Sequence, residues 1–363
     1  MKKKPNYKLR RKIALYILIV IILIPILIAN RVKIMNLTLY IPNIKYSSVL
    51  NSMFEIGYTK DEAKSTINSL KEKNKINKNT TNYILKVHDL GYSNDVVDYV
   101  IRNLNKDQMT DFLARKYNKD FEKYIKNNLF DYKNYDRYIK YHKKHKKLKL
   151  DDVVTRIALN LDKTYYDDSV LIKNPDEITV LANKYFEIPE DYEPSDLVEM
   201  DDDYANNTYS TKKLRKEAYD KFVKMCDASR KSGVKFYAES AYRSFEYQNS
   251  LYKEYVRNHG SEEANKYAAK PGFSEHELGL AIDLANIWTI TTKGEEYAWL
   301  TKHAHEYGYI IRYKEEWEDV TGYAAESWHI RYVGVKVATE VRKKNIPYEE
   351  YYIKYIANKS KKN

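Results

Sequence analysis

Ser274-Glu275-His276-Glu277-Leu278-Gly279-Leu280-Ala281-Ile282-Asp283 is the stretch on which the reading of this chain turns. It sets an imidazole and a carboxylate seven residues apart, with a glycine turn between them and an apolar run behind. Read with period two from Gly279 to Leu284, Ala281 and Asp283 face one side while Leu280, Ile282 and Leu284 face the other. The carboxylate therefore projects from a strand whose back is buried, and His276 arrives from the loop before it. A chain offers two zinc ligands in this way. A catalytic zinc site takes three protein ligands, and Glu326-Ser327-Trp328-His329-Ile330-Arg331-Tyr332 offers an imidazole together with a spare carboxylate. The predicted centre is His276, Asp283 and His329. A lone histidine beside apolar residues is more often a core or surface residue than a ligand, so the weight rests on the conjunction of motifs.

Three motifs fall within one domain-sized span: Ser-x-His-x-x-Gly-x-Ala-x-Asp, Glu-x-x-His-x-Arg-Tyr, and the upstream Ser240-Ala241-Tyr242-Arg243-Ser244. Together they resemble the VanY-like D-alanyl-D-alanine carboxypeptidases, zinc peptidases that share a fold with lysostaphin-type enzymes and the hedgehog signalling domain. The resemblance runs from about Val180 to Tyr352, roughly half the chain. It implies an α+β domain with a central antiparallel sheet and flanking helices, a Zn2+ cofactor, and peptidoglycan stem peptides as substrate. It also implies roles: Glu326 as general base, Arg243 as the clamp on the peptide's terminal carboxylate, and Gln248 and Ser274 as substrate-positioning groups. Glu326 lies three residues before His329 and would face the wrong side of a straight strand, so it is expected in the turn before that strand.

Glu277-Leu278 stands where the family often has Gln-Thr, and Ser327 where a Pro often follows the glutamate; the first is expected to bring a negative charge near the metal. D,D- and L,D-specificity both remain open. A wall endopeptidase is an alternative, and Arg243 discriminates against it because an internal cut needs no carboxylate clamp. A zinc-containing wall-binding module without hydrolysis is another, against which Glu326 speaks.

Charge divides the chain. Of 363 residues carrying a net +12, residues 1–170 hold 34 Lys and Arg against 18 Asp and Glu, a net +16, and the remainder hold 29 against 33, a net −4. A basic half suits anionic surfaces. Residues 1–12 are a basic tail, and Ile13 to Ala29 are seventeen residues without a charge. At about 1.5 Å per residue this segment nearly spans a hydrocarbon core of roughly 30 Å. Leu27-Ile28-Ala29 lacks the small-x-small pattern of a signal cleavage site, so 13–29 is expected to be a retained single-pass transmembrane anchor. The positive flank is expected to stay in the cytoplasm and the catalytic domain outside. In that orientation an anionic wall polymer suits the basic region, and no nucleic-acid partner is expected.

Residues 36–150 are expected to form a small helical region. Gly57-Tyr58-Thr59-Lys60-Asp61 is echoed by Gly91-Tyr92-Ser93-Asn94-Asp95, each copy reading as helix, glycine stop, N-cap, helix, with Thr59 and Glu62 as a capping box. Residues 151–175 are expected to be a linker and 176–355 the catalytic domain. Within it, helices are predicted over 211–232, 245–258 (Tyr247, Leu251 and Tyr255 inward) and 334–355, and strands over 234–240 and 309–313. A single cysteine, Cys226, excludes an intramolecular disulfide framework.

Overall fold

Glycine ends the first helix of each predicted repeat, as the echo requires. The computed structural model describes residues 46–206, 212–284 and 291–357. The basic tail 1–12 and the expected anchor 13–29 lie outside the described residues, among which no helix is long and apolar enough to cross a membrane. The chain divides after Tyr135 into two compact units.

In the first unit α1 (Ser47–Glu55) stops near Gly57 and α3 (Thr80–Asp89) near Gly91, both glycines at φ +91°. Each is followed by a second helix, α2 (Lys60–Glu72) and α4 (Asn94–Asn103). Thr59 and Glu62 form the capping box, whereas Ser93 occupies the N-cap position with extended backbone and no side-chain cap bond. The echoed tyrosines, Tyr58 and Tyr92, are both buried. Two further helices, α5 (Lys106–Ala114) and α6 (Phe121–Ile125), follow, with an aromatic core in which Phe121 meets Phe112, Phe130 and Tyr135 edgewise or tilted.

The expected linker is not a linker throughout. After α7 (Tyr135–Lys144), helix α8 (Leu150–Ala158) buries Val153, Val154 and Ile157, and α8 belongs to the second unit, as does α7 from Asp136 onward. The polar turns that suggested a boundary lie beyond α8, where Asp162 is tied back to Arg137 at 2.5 Å.

The second unit mixes small sheets with helices. β1 (Val170–Leu171) pairs in parallel with β2 (Phe186–Glu187), and β3 (Leu197–Glu199) pairs antiparallel with β4 (Lys213–Arg215). The main sheet has four antiparallel strands in the order β5 (Ala238–Ser240), β6 (Ala281–Leu284), β8 (Glu326–Tyr332), β7 (Tyr309–Tyr313). Against it packs α9 (Lys216–Lys231), whose Phe222, Met225 and Cys226 share a core with Ala238, Ile282, Leu284 and Ile330. Burying a residue such as Phe222 stabilises by about 1.5–3 kcal/mol. Cys226 is a buried thiol whose pKa burial pushes up to about 12, an inert packing residue.

Helix α10 (Phe245–His259) follows β5, with Gln248 its fully buried residue; Tyr247, expected inward, is 39% exposed. The short α11 (Ser261–Tyr267) packs beside it. Helix α12 (Glu295–His303) and a 3-10 turn end at Gly308. At φ +87°, with Tyr332 only 2.5 Å from where a Cβ would stand, that position needs glycine. The connection from β7 to β8 contains a 3-10 turn and α13 (Glu318–Thr321). The C-terminal segment is two helices rather than one, α14 (Val335–Lys344) and α15 (Tyr348–Tyr351), because Asn345 turns left-handed and Pro347 follows.

Candidate metal centre

Adjacent strands bring the predicted trio together. In β6, Asp283 is the cross-strand partner of His329 in β8. His276 reaches the same place from the 3-10 turn Glu275–Leu278, which ends at Gly279 in the left-handed conformation. A Cβ on Gly279 would stand 2.8 Å from Leu197 and 3.0 Å from Arg215, so the turn that aims His276 at the strand is closed to larger residues. Ser274 caps this turn, its hydroxyl accepting the His276 N–H at 3.4 Å.

His276 Nε2 lies 3.3 Å from Asp283 Oδ2, and His329 Nδ1 lies 3.2 Å from Asp283 Oδ1. One ligand atom from each of the three residues falls within 4.8 Å of the others, and all three residues are buried. The other nitrogen of His276, Nδ1, is 2.7 Å from the carbonyl oxygen of Ala241. If Nδ1 carries the proton and donates it there, the Nε2 lone pair points toward Asp283, the arrangement in which a histidine ligates a metal. Two imidazoles and one carboxylate are a donor set that fits zinc.

Glu326 stands beside the trio, its Oε2 3.4 Å from His329 Nδ1. It is the first residue of β8, not part of a preceding turn. Two steps along β7, from Ile311 to Tyr313, oppose four along β8, from Ile330 to Glu326. The ladder is irregular across these positions, and Glu326 lies on the side of His329. Burial raises the Glu326 pKa, an effect only partly offset by His329. Burial acts to raise the Asp283 carboxyl too, but His276 and Arg243 outweigh it and hold it well below the usual range. Burial, reinforced by the Arg243 charge, pushes His276 down to about 4.

These groups line a cleft of 570 Å³ with Arg243, Gln248, Ser274, Tyr313, Tyr323 and Trp328 among its walls. The Arg243 guanidinium bonds Ser240 Oγ through Nε at 3.0 Å and Asp283 Oδ2 through Nη2 at 2.5 Å. Gln248 donates through Nε2 to the Ala269 carbonyl at 2.8 Å, while its buried Oε1 has no hydrogen-bond partner. All seven residues singled out from the sequence meet at this one cleft.

Residues 211–335 match the family model described as VanY, D-alanyl-D-alanine carboxypeptidase. A protein of Bacillus subtilis (strain 168) named "Putative carboxypeptidase YodJ" is 36% identical over 208 residues, covering 54% of this chain and 76% of that protein. This chain belongs to the VanY carboxypeptidase family. Among solved structures, an LdcB LD-carboxypeptidase is 36% identical, covering 53% of this chain and 92% of its own, with a TM-score of 0.49. A VanY D,D-pentapeptidase mutant in complex with Zn(II) is 30% identical, covering 48% and 98%, with a TM-score of 0.42.

Two glutamates of this VanY-family centre depart from the sequence reading. Glu277 was expected to add charge near the metal. Instead its carboxylate accepts the N–H of Gly272 at 3.0 Å and of Ser274 at 3.1 Å, and it is not among the residues lining the cleft. It braces the loop that delivers His276. Burial pushes its pKa up to about 7, against the downward pull of those two backbone donors.

Glu275 has no role that the sequence motifs assign. It is buried in the wall of the cleft, where its Oε1 accepts from Arg312 Nε at 2.9 Å and lies 3.1 Å from Arg331 Nη1. Burial acts to raise its pKa, but the charges of Arg312 and Arg331 prevail and hold it far below the usual range. The only sequence signal was two arginines in strands that otherwise read as core.

Proposed function

We propose that the chain is a zinc-dependent carboxypeptidase that removes the C-terminal D-alanine from peptidoglycan stem peptides. The observation that carries this reading is the convergence of three ligand atoms within 4.8 Å with a buried carboxylate and an arginine on one cleft. His276, Asp283 and His329 would hold the zinc, whose chemistry is Lewis acidity: it polarises a carbonyl and acidifies water.

Glu326, with its raised proton affinity, takes the proton of the attacking water and returns it to the leaving amine, so that one water is consumed per bond cut. Arg243 binds the terminal carboxylate of the peptide, which presents only the last residue for release. Gln248 and Ser274 position the peptide, the former through its unpartnered Oε1. An arginine clamp favours this reading over an internal cut. Glu326 favours it over a binding module, which has no use for a base.

Incubating the zinc-loaded chain with muropeptides ending in D-Ala-D-Ala, or in D-Ala after an L-centred diamino acid, tests the reading. Mass spectrometry should find free D-alanine from one class or both, and cleavage only inside the peptide would sink it. For location, we propose that residues 13–29 anchor the chain in the cell membrane with the catalytic unit outside. Protease added to intact wall-stripped cells should then degrade the catalytic unit and spare a tag at Met1; a protected catalytic unit would reverse the orientation.

A further inference from the structure

His329 has two nitrogens, and each faces an acid. Nδ1 meets Asp283 and Glu326, whereas Nε2 lies 3.6 Å from Glu275 Oε2. Both His329 Nε2 and Glu275 Oε2 are buried without a hydrogen-bond partner, and they face each other. Glu275 is not free to turn elsewhere, because its Oε1 is held between Arg312 and Arg331.

Those arginines are themselves fixed. Arg312 gives its Nη1 and Nη2 to Glu349 at 2.9 and 2.6 Å, and Arg331 gives its Nη2 to the carbonyls of Ile178 and Val180. Glu275, Arg312, Glu349 and Arg331 are 0–1% exposed in their side chains and sum to no net charge. A balanced cluster of this kind needs no further partner for neutrality. The carboxylate oxygen left facing His329 is therefore the feature that bare ion pairing does not explain.

We propose that Glu275 is a positioning residue that keeps the proton of His329 on Nε2, so that Nδ1 offers its lone pair toward Asp283 and the metal. The inference rests on the ligand assignment above. Glutamine in place of Glu275 has to keep its oxygen toward the donors of Arg312 and Arg331, which turns its amide N–H, a donor, toward Nε2 and removes the acceptor that selects this tautomer. Outer partners of ligating histidines typically contribute 10–100-fold to metal affinity.

The test compares E275Q with E349Q, which unbalances the same cluster through Arg312 without touching His329. Zinc affinity measured by competition with a chromophoric chelator should fall 10–100-fold in E275Q and change less than about threefold in E349Q. The visible spectrum of the cobalt-substituted protein should shift only in E275Q, and E275D should recover part of the affinity. In case E275Q does not fold, nitrogen-15 shifts of His329 in zinc-loaded wild type give a second reading, with metal on Nδ1 and a proton on Nε2 expected. Wild-type affinity in E275Q, equal losses in both variants, or metal on Nε2 would each overturn the role of Glu275. A wild type that binds no zinc would overturn the ligand assignment as well.

Discussion

Asp98 in the helical unit and Asp283 in the sheet unit are both sheltered carboxylates paired with an arginine, and their remaining neighbours differ in kind. Around Asp98 every partner is a donor: Tyr58 Oη at 2.8 Å, Thr66 Oγ1 at 2.8 Å and Arg102 Nη2 at 2.8 Å. Around Asp283, beside Arg243, stand the nitrogens of two imidazoles, with the Glu326 carboxylate reaching one of them. Burial raises the Asp98 pKa against those hydrogen bonds, whereas the charges around Asp283 hold it well down. A carboxylate closed by hydroxyls and one guanidinium is complete as it stands. One that converges with other lone-pair donors is built to share a cation.

The largest effects should come from breaking that convergence. His276→Ala, Asp283→Ala and His329→Ala should each abolish measurable zinc and, with it, peptide cleavage; full zinc in any of them, by metal analysis, would remove that residue from the centre. Glu326→Gln should separate base from ligands. It should keep its zinc and lose about 10²–10⁴-fold in kcat, and near wild-type turnover would require another base.

Next in size is Arg243. Arg243→Ala should retain zinc and lose roughly 10–150-fold in kcat/KM on free-carboxylate peptides, the equivalent of about 1.5–3 kcal/mol for a hydrogen bond to a charged group. Lysine should recover little, since the bidentate geometry is lost. Amidating the substrate should cost the wild type a similar factor and the variant almost nothing more. Additive losses would show that arginine and carboxylate do not meet.

Local pattern made the cleft legible and left its support hidden. His276, Asp283 and His329 stand out because a loop, a glycine turn and alternating strands fix their directions within a few residues. Glu326 stood out as a residue, but its place in β8 depends on extra residues relative to β7, a property of two strands that neither shows alone. Glu275 carries no signal in its own neighbourhood, because its meaning lies in Arg312 and Arg331, 37 and 56 positions away, and through Arg312 in Glu349. Glu277 looked like a charge at the metal because sequence distance to His276 was the only measure available. Helix α8 reads as linker in the sequence because the polar turns beyond it outweigh Val153, Val154 and Ile157.

A smaller effect tests the other half of the comparison. Asp98→Ala removes the acceptor that Tyr58, Thr66 and Arg102 share, leaving Tyr58 the Asn94 carbonyl and Arg102 the Thr66 hydroxyl, and should cost about 1–3 kcal/mol of stability. Catalytic constants at a temperature where the protein stays folded should not move. A changed kcat with unchanged unfolding would mean that Asp98 does more than close its own network.

The smallest effect concerns the brace at Glu277, and its sign follows from the direction of the shift. Its folded pKa of about 7 lies above the ordinary value of 4.5. Between those values the native state binds the proton more tightly than the unfolded chain. Its contribution is therefore present in full below about pH 4.5 and is lost as pH rises through 7. Glu277→Gln should remove this dependence while keeping the brace, because Oε1 alone accepts both the Gly272 and the Ser274 N–H and an amide oxygen can do the same. Urea unfolding at pH 5 and pH 8 should show the variant gaining on the wild type by on the order of 1 kcal/mol at the higher pH. A stability difference that is the same at both pH values would mean that Glu277 is already ionised throughout, braced by its backbone donors as a carboxylate.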